Sequence, residues 1–66
     1  MNRIKELRLN KHLTLDDISK EVGIKRGTFN NYENGNTEPT LENWFKLARY
    51  FCVSLDYLTG FSDERR

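Results

Sequence analysis

The chain has 66 residues and a formal net charge of +1. That length holds at most one domain, and its core must be compact, because a chain of this size buries only about 60% of its unfolded surface. The near-neutral charge argues against indiscriminate polyanion binding, and the single Cys52 excludes an intrachain disulfide. No apolar run approaches the roughly 20 residues of a membrane span, and the opening MNRIKELR lacks the apolar centre of a signal peptide. A reducing, cytoplasmic setting is the expectation.

β-type alternation is weak, so the chain reads as all-α, with five helices. The first covers about residues 3–10, with Ile4 and Leu7 inward; Asn10-Lys-His makes its exit, since Asn or His can take the left-handed conformation. Thr14 caps the second, and Thr14-Leu-Asp-Asp17 approximates a capping box, with Ile18 and Val22 inward and Gly23 as terminator. The third begins near Lys25 or Arg26 and runs to about Asn34, ended by Gly35. Thr40 caps the fourth, whose inner stripe is expected to hold Leu41, Trp44, Phe45, Ala48 and Phe51, widened by Leu47. Ser54 caps a last short helix that Gly60 closes. Residues 1–61 form the domain, and 62–66 a short polar tail.

The third helix is unusual. Phe29 and Tyr32 form its inner stripe, yet its outer side carries Gly27, Asn30, Asn31 and Asn34, with Arg26 at the flank. Asn and Gly lose up to about 1 kcal/mol each against Ala in a helix. The face is polar, short and almost free of acids. Asn can pair bidentately with adenine and Arg with guanine, and Gly27 removes bulk where a backbone would approach DNA. Lys25 and Arg26 stand at a helix N-terminus, an unfavourable place for a cation unless an anion is near. A phosphate would supply one, so Lys25 is assigned to phosphate and Arg26 to base or phosphate.

Residues 14–35, TLDDISKEVGIKRGTFNNYENG, resemble the helix-turn-helix of the phage repressor and Cro proteins, the XRE family. The resemblance extends from Leu7-Arg8 through Ile18, Val22, Gly23, Ile24, Phe29 and Tyr32 to Pro39, Leu47-Ala48 and Val53-Ser54-Leu55-Asp56. It implies a compact five-helix lambda repressor-like domain whose third helix lies in the major groove. Arg26, Gly27, Asn30 and Asn31 would read bases. Thr14, Lys25, Thr28, Asn34, Asn36 and Thr37 would contact phosphate. Arg8 and Glu33 match a salt bridge between helices 1 and 3. The C-terminal region, through Leu55, Tyr57, Leu58 and Phe61, would supply a homodimer interface.

The chain departs from the family in having Leu15 where Gln is common, Ser19 for Ala, Lys25 for a Ser or Thr cap, and Glu38 in a loop that often carries a basic residue. The implied function is a transcriptional regulator, a repressor that binds a palindromic double-stranded DNA operator as a dimer. The protein would be bacterial or phage-encoded and nucleoid-associated when bound. The alternative is a protein-interaction module that keeps the fold without reading DNA; Leu15 and Glu38 favour it. His12 reads as a turn residue and Cys52 as the junction between the last two helices. No metal set, cofactor loop or carboxylate pair points to an enzyme.

Overall fold

The computed structural model describes residues 2–62; of the expected tail, residues 63–66 lie outside the described residues. Among them run five helices and no strand: α1 Ile4–Asn10, α2 Leu15–Val22, α3 Arg26–Asn34, α4 Leu41–Phe51 and α5 Leu55–Thr59. Within the described residues, no helix is long and apolar enough to cross a membrane.

The helix boundaries have local causes. The Thr14 hydroxyl accepts from the Asp17 N–H at 3.1 Å, and Asp17 Oδ2 accepts from the Thr14 N–H at 3.0 Å, closing a capping box. The Thr14 backbone N–H, and after it the Thr14 hydroxyl, hold the Asp17 carboxyl below its ordinary pKa. Thr40 and Ser54 accept from the N–H groups of Asn43 and Tyr57. At the first helix the Asn2 side chain accepts from the Ile4 N–H at 3.0 Å and donates to the Tyr32 carbonyl at 2.9 Å. α2 ends at Gly23 with φ 74°. A Cβ there would meet nothing within 4 Å, so the glycine is required by the left-handed backbone and not by crowding. His12 (φ 59°) and Cys52 (φ 57°) take the same conformation without that freedom.

The core joins Ile4 and Leu7 of α1, Ile18 of α2, Ile24 in the turn, and Phe29 and Tyr32 of α3. Leu47, Ala48 and Phe51 of α4, then Val53 and Leu58, complete it. The turn is tightened by Ser19, whose hydroxyl donates to the Ile24 carbonyl, so the serine that replaces the family's alanine braces α2 against the start of α3. At the other end Asn43 donates to the Tyr32 hydroxyl at 3.0 Å, tying α4 to α3.

Two expected core residues are on the surface. Leu41 is 64% exposed and Phe45 49% exposed, while Leu47 is fully buried. The apolar residues of α4 cover more than half of its circumference, and only one sector can face the core. Packing chose the sector of Leu47, Ala48 and Phe51, which leaves Leu41 and Phe45, one turn apart, outside.

Arg8 is buried, and each of its three guanidinium nitrogens donates a hydrogen bond. Its Nε donates to Glu33 Oε2 at 2.7 Å and Nη2 to Glu33 Oε1 at 3.1 Å, a two-point fork across α1 and α3. Nη1 donates to the Leu13 carbonyl at 2.8 Å, fixing the loop between α1 and α2. The side chains are only 10% and 3% exposed.

Removing one partner of such a pair strands the other charge. Arg8→Ala should therefore lose about 3 kcal/mol of stability in urea unfolding, and a double replacement of Arg8 and Glu33 by apolar residues should lose less. Thr14→Ala should lose about 1 kcal/mol. Because the Asp17 pKa is depressed on folding, its contribution is present above the ordinary carboxylate pKa and disappears as pH falls through the lowered folded value. An acid titration monitored by circular dichroism should show that loss in the parent and not in Asp17→Asn. Cys52→Gly should raise the melting temperature, since it relieves a left-handed non-glycine residue at an exposed helix end.

Candidate nucleic-acid interface

α2 and α3 are joined by Gly23, Ile24 and Lys25. With Ile24 buried and Phe29 and Tyr32 facing the core, the opposite side of α3 is turned outward. Arg26, Gly27, Asn30 and Asn34 are exposed there. A Cβ on Gly27 would meet nothing within 4 Å, so the residue is a gap in the side-chain cover of the helix and not a packing contact. Leu15, Arg26, Gly27 and Asn30 line a shallow open cleft of about 230 Å³ between the N-terminal ends of α2 and α3. The outward side of α3 carries no acidic residue, because its only acid, Glu33, is turned inward to Arg8.

The candidate side chains divide into groups. Asn34 donates to the Asn30 side-chain oxygen at 3.4 Å, and Asn36 to that of Asn31 at the same distance. These are long bonds, easily exchanged for a ligand's donors and acceptors. Asn31 is half-buried and its carbonyl receives the N–H groups of Asn36 and Thr37, so it stands where α3 meets the following loop. Thr28 is half-buried on the flank. Thr14, Lys25, Asn36 and Thr37 are exposed; Thr14 already serves as the cap of α2. Arg26 Nε lies 3.1 Å from Asp16 Oδ1, a contact between the two helices that the sequence did not suggest. Only the pairing of side chains across the turn reveals it, since residues ten apart share no helical spacing.

The N-terminus of α3 differs from the others. Side chains meet the first N–H groups of α1, α2, α4 and α5, whereas Lys25, the N-cap of α3, makes no side-chain cap bond. Uncapped N–H groups and a helix dipole attract an anion, and Lys25 and Arg26 add positive charge beside them. Among the described residues, no group of three or more His, Cys, Asp or Glu is placed to hold a metal ion.

One of the expected dimer residues is not on the surface. Leu58 is fully buried, so it belongs to the core and cannot meet a partner; the short α5 turns it inward against the other core residues. Tyr57 is half-buried, with the Arg3 guanidinium 4.2 Å over its ring and Arg3 Nη1 donating to its carbonyl at 2.6 Å. Leu55 is half-buried, and Phe61 is 86% exposed. The exposed Leu41 and Phe45 were missed as surface residues because apolar spacing alone assigned them to the core.

Comparison with known proteins agrees with this geometry. A family model described as Helix-turn-helix matches residues 4–58. The uncharacterized HTH-type transcriptional regulator YobD of Bacillus subtilis is 32% identical over 62 residues, covering 94% of this chain and 55% of that protein. An uncharacterized HTH-type transcriptional regulator of Methanocaldococcus jannaschii is 32% identical over 63 residues, covering 96% of each chain. The cryptic phage CTXphi transcriptional repressor RstR of Vibrio cholerae is 29% identical over 62 residues, covering 94% of this chain and 56% of that one. The chain thus spans about half the length of the Bacillus and Vibrio proteins and nearly all of the archaeal one. A fold of five helices, a helix-turn-helix with a polar outward face and a family match over almost the whole chain lead to one conclusion: the chain belongs to the XRE-type helix-turn-helix family of DNA-binding transcriptional regulators.

Proposed function

We propose that the chain is a sequence-specific repressor that binds a palindromic operator as a homodimer, with α3 of each copy in the major groove. The observation that carries this reading is the outward face of α3, where Gly27 and Asn30 stand open between Arg26 and Asn34 with no acid among them. Arg26, Asn30 and Asn31 are the base readers, and Gly27 lets the backbone approach. Lys25 and the uncapped start of α3 take one phosphate; Thr14, Thr28, Asn34, Asn36 and Thr37 take others along the rim. Repression is the stated role of the RstR relative.

Geometry favours two copies. The domain's longest dimension is 28 Å, short of the roughly 34–36 Å between half-sites on one side of the duplex. One copy therefore reads one half-site, and a second is needed for the other. Leu55 and Phe61 near the C-terminus remain available for that contact; the buried Leu58 does not.

A second reading has its own observation. The exposed pair Leu41 and Phe45 on α4, with Glu38 in the preceding loop, suits a protein partner better than a polyanion. A salt titration of duplex binding separates the two. DNA binding predicts affinity that falls by about 0.9 log units per log unit of salt for each phosphate neutralised. No enrichment of any duplex from a random pool, with no binding at low salt, would eliminate the repressor reading.

Residue roles are separable by the same assay. Lys25→Ala should weaken binding to all sequences alike and lower the salt slope by about 0.9. Asn30→Ala and Asn31→Ala should each relax discrimination at one base pair by about 1–3 kcal/mol. A uniform loss on every sequence would mark either asparagine as a backbone contact. Sedimentation with and without the selected duplex should show two copies per operator.

A further inference from the structure

Arg26 is not free at the start of α3. Its Nε lies 3.1 Å from Oδ1 of Asp16, in the first turn of α2. Both side chains are about two-thirds exposed, so the pair adds little to folding. Its position carries more meaning than its energy. The neighbouring Asp17 already fills the capping role of α2, and the Asp16 carboxylate lies beside Arg26 of α3 instead. A carboxylate on that side is repelled by DNA phosphate, and affinity alone gives no reason to place it there.

A guanidinium is a planar fork of five N–H donors. Asp16 lies on the Nε side of the guanidinium as an ion-pair partner, and no other Arg26 interaction is present among the described residues, so both Nη groups keep their donors. Two adjacent donors match the O6 and N7 acceptors of guanine. The partner carboxylate also offsets the charge of the fork. That weakens its pull toward phosphate, whose contacts carry no sequence information, and leaves its hydrogen-bond donors intact for an uncharged base edge.

We infer that Asp16 is a positioning residue for sequence readout: its carboxylate draws the Arg26 guanidinium from the Nε side across the helix-turn-helix, so that Nη1 and Nη2 are left for a guanine. This rests on the reading that α3 enters the major groove. Asp16 exchanges some affinity for DNA in general for discrimination at one base pair, by biasing a long side chain toward one orientation among its rotamers.

The test compares the parent protein with Asp16→Ala, Asp16→Asn, Arg26→Ala and the Asp16→Ala/Arg26→Ala double variant. Each is assayed on the duplex selected from a random pool, on the same duplex with single base-pair replacements, and on an unrelated duplex. The parent should require guanine at one position of each half-site. Asp16→Ala should reduce that preference by about tenfold while binding the unrelated duplex more tightly, opposite effects that a merely structural role would not produce. Asp16→Asn, which keeps an oxygen acceptor without the charge, should fall between. In the Arg26→Ala background, removing Asp16 should change nothing at that base pair. Unchanged guanine preference in Asp16→Ala overturns the inference, as does an equal effect of Asp16→Ala with and without Arg26. If Arg26→Ala abolishes the preference and Asp16→Ala does not, only the role of Asp16 fails. If the parent prefers no duplex at all, the readout by α3 fails with it.

Discussion

The orientation of α3 depends on the buried fork between Arg8 and Glu33. Two charges removed from water cost several kcal/mol each, and they are retained only where geometry and hydrogen bonding compensate. Here all three guanidinium nitrogens donate: two to Glu33 and one to the Leu13 carbonyl. The consequence is geometric more than energetic. α1, the loop before α2 and the last turn of α3 are tied at one point. Because Glu33 must turn inward to meet Arg8, the opposite side of its helix must turn out. Asn2, reaching the Tyr32 carbonyl, and Asn43, reaching the Tyr32 hydroxyl, hold the same end of the helix from two further directions.

A helix held so firmly from behind can carry residues that would not stabilise it alone. Gly27, Asn30, Asn31 and Asn34 contribute little helix propensity, and Lys25 offers no side-chain cap. Their stability is borrowed from Phe29, Tyr32 and Glu33, which are buried or tied on the inner side. This division of labour allows the outer face to be varied without refolding the domain. It also places the uncapped N–H groups of α3 beside Lys25 and Arg26, an arrangement suited to an anion.

Several large apolar side chains outside α3 face solvent. Leu41 and Phe45 on α4 and Phe61 after α5 remain exposed. Burial of such side chains against another chain is worth about 25 cal/mol per Å². None of the three stands on α3 itself.

The sequence alone specifies the helices and their ends, because caps and terminators are local: Thr14, Thr40 and Ser54 accept N–H groups three residues on, and Gly23, Gly35 and Gly60 take positive φ where the chain must leave a helix. It also determined the inner and outer sides of α3, since a lone pair of aromatics leaves no competing apolar sector. On α4 the same logic failed. Apolar residues surround more than half of that helix, and which sector is buried is decided only by what α2 and α5 present to it. Leu58 was lost to the surface reading for the matching reason, since a five-residue helix has too few turns for spacing to show its inner face. The contact of Arg26 with Asp16, and the fork of Arg8 into the Leu13 carbonyl, likewise belong to the tertiary structure alone. They depend on the angle at which two short helices meet, and that angle is set by the packed core beneath them.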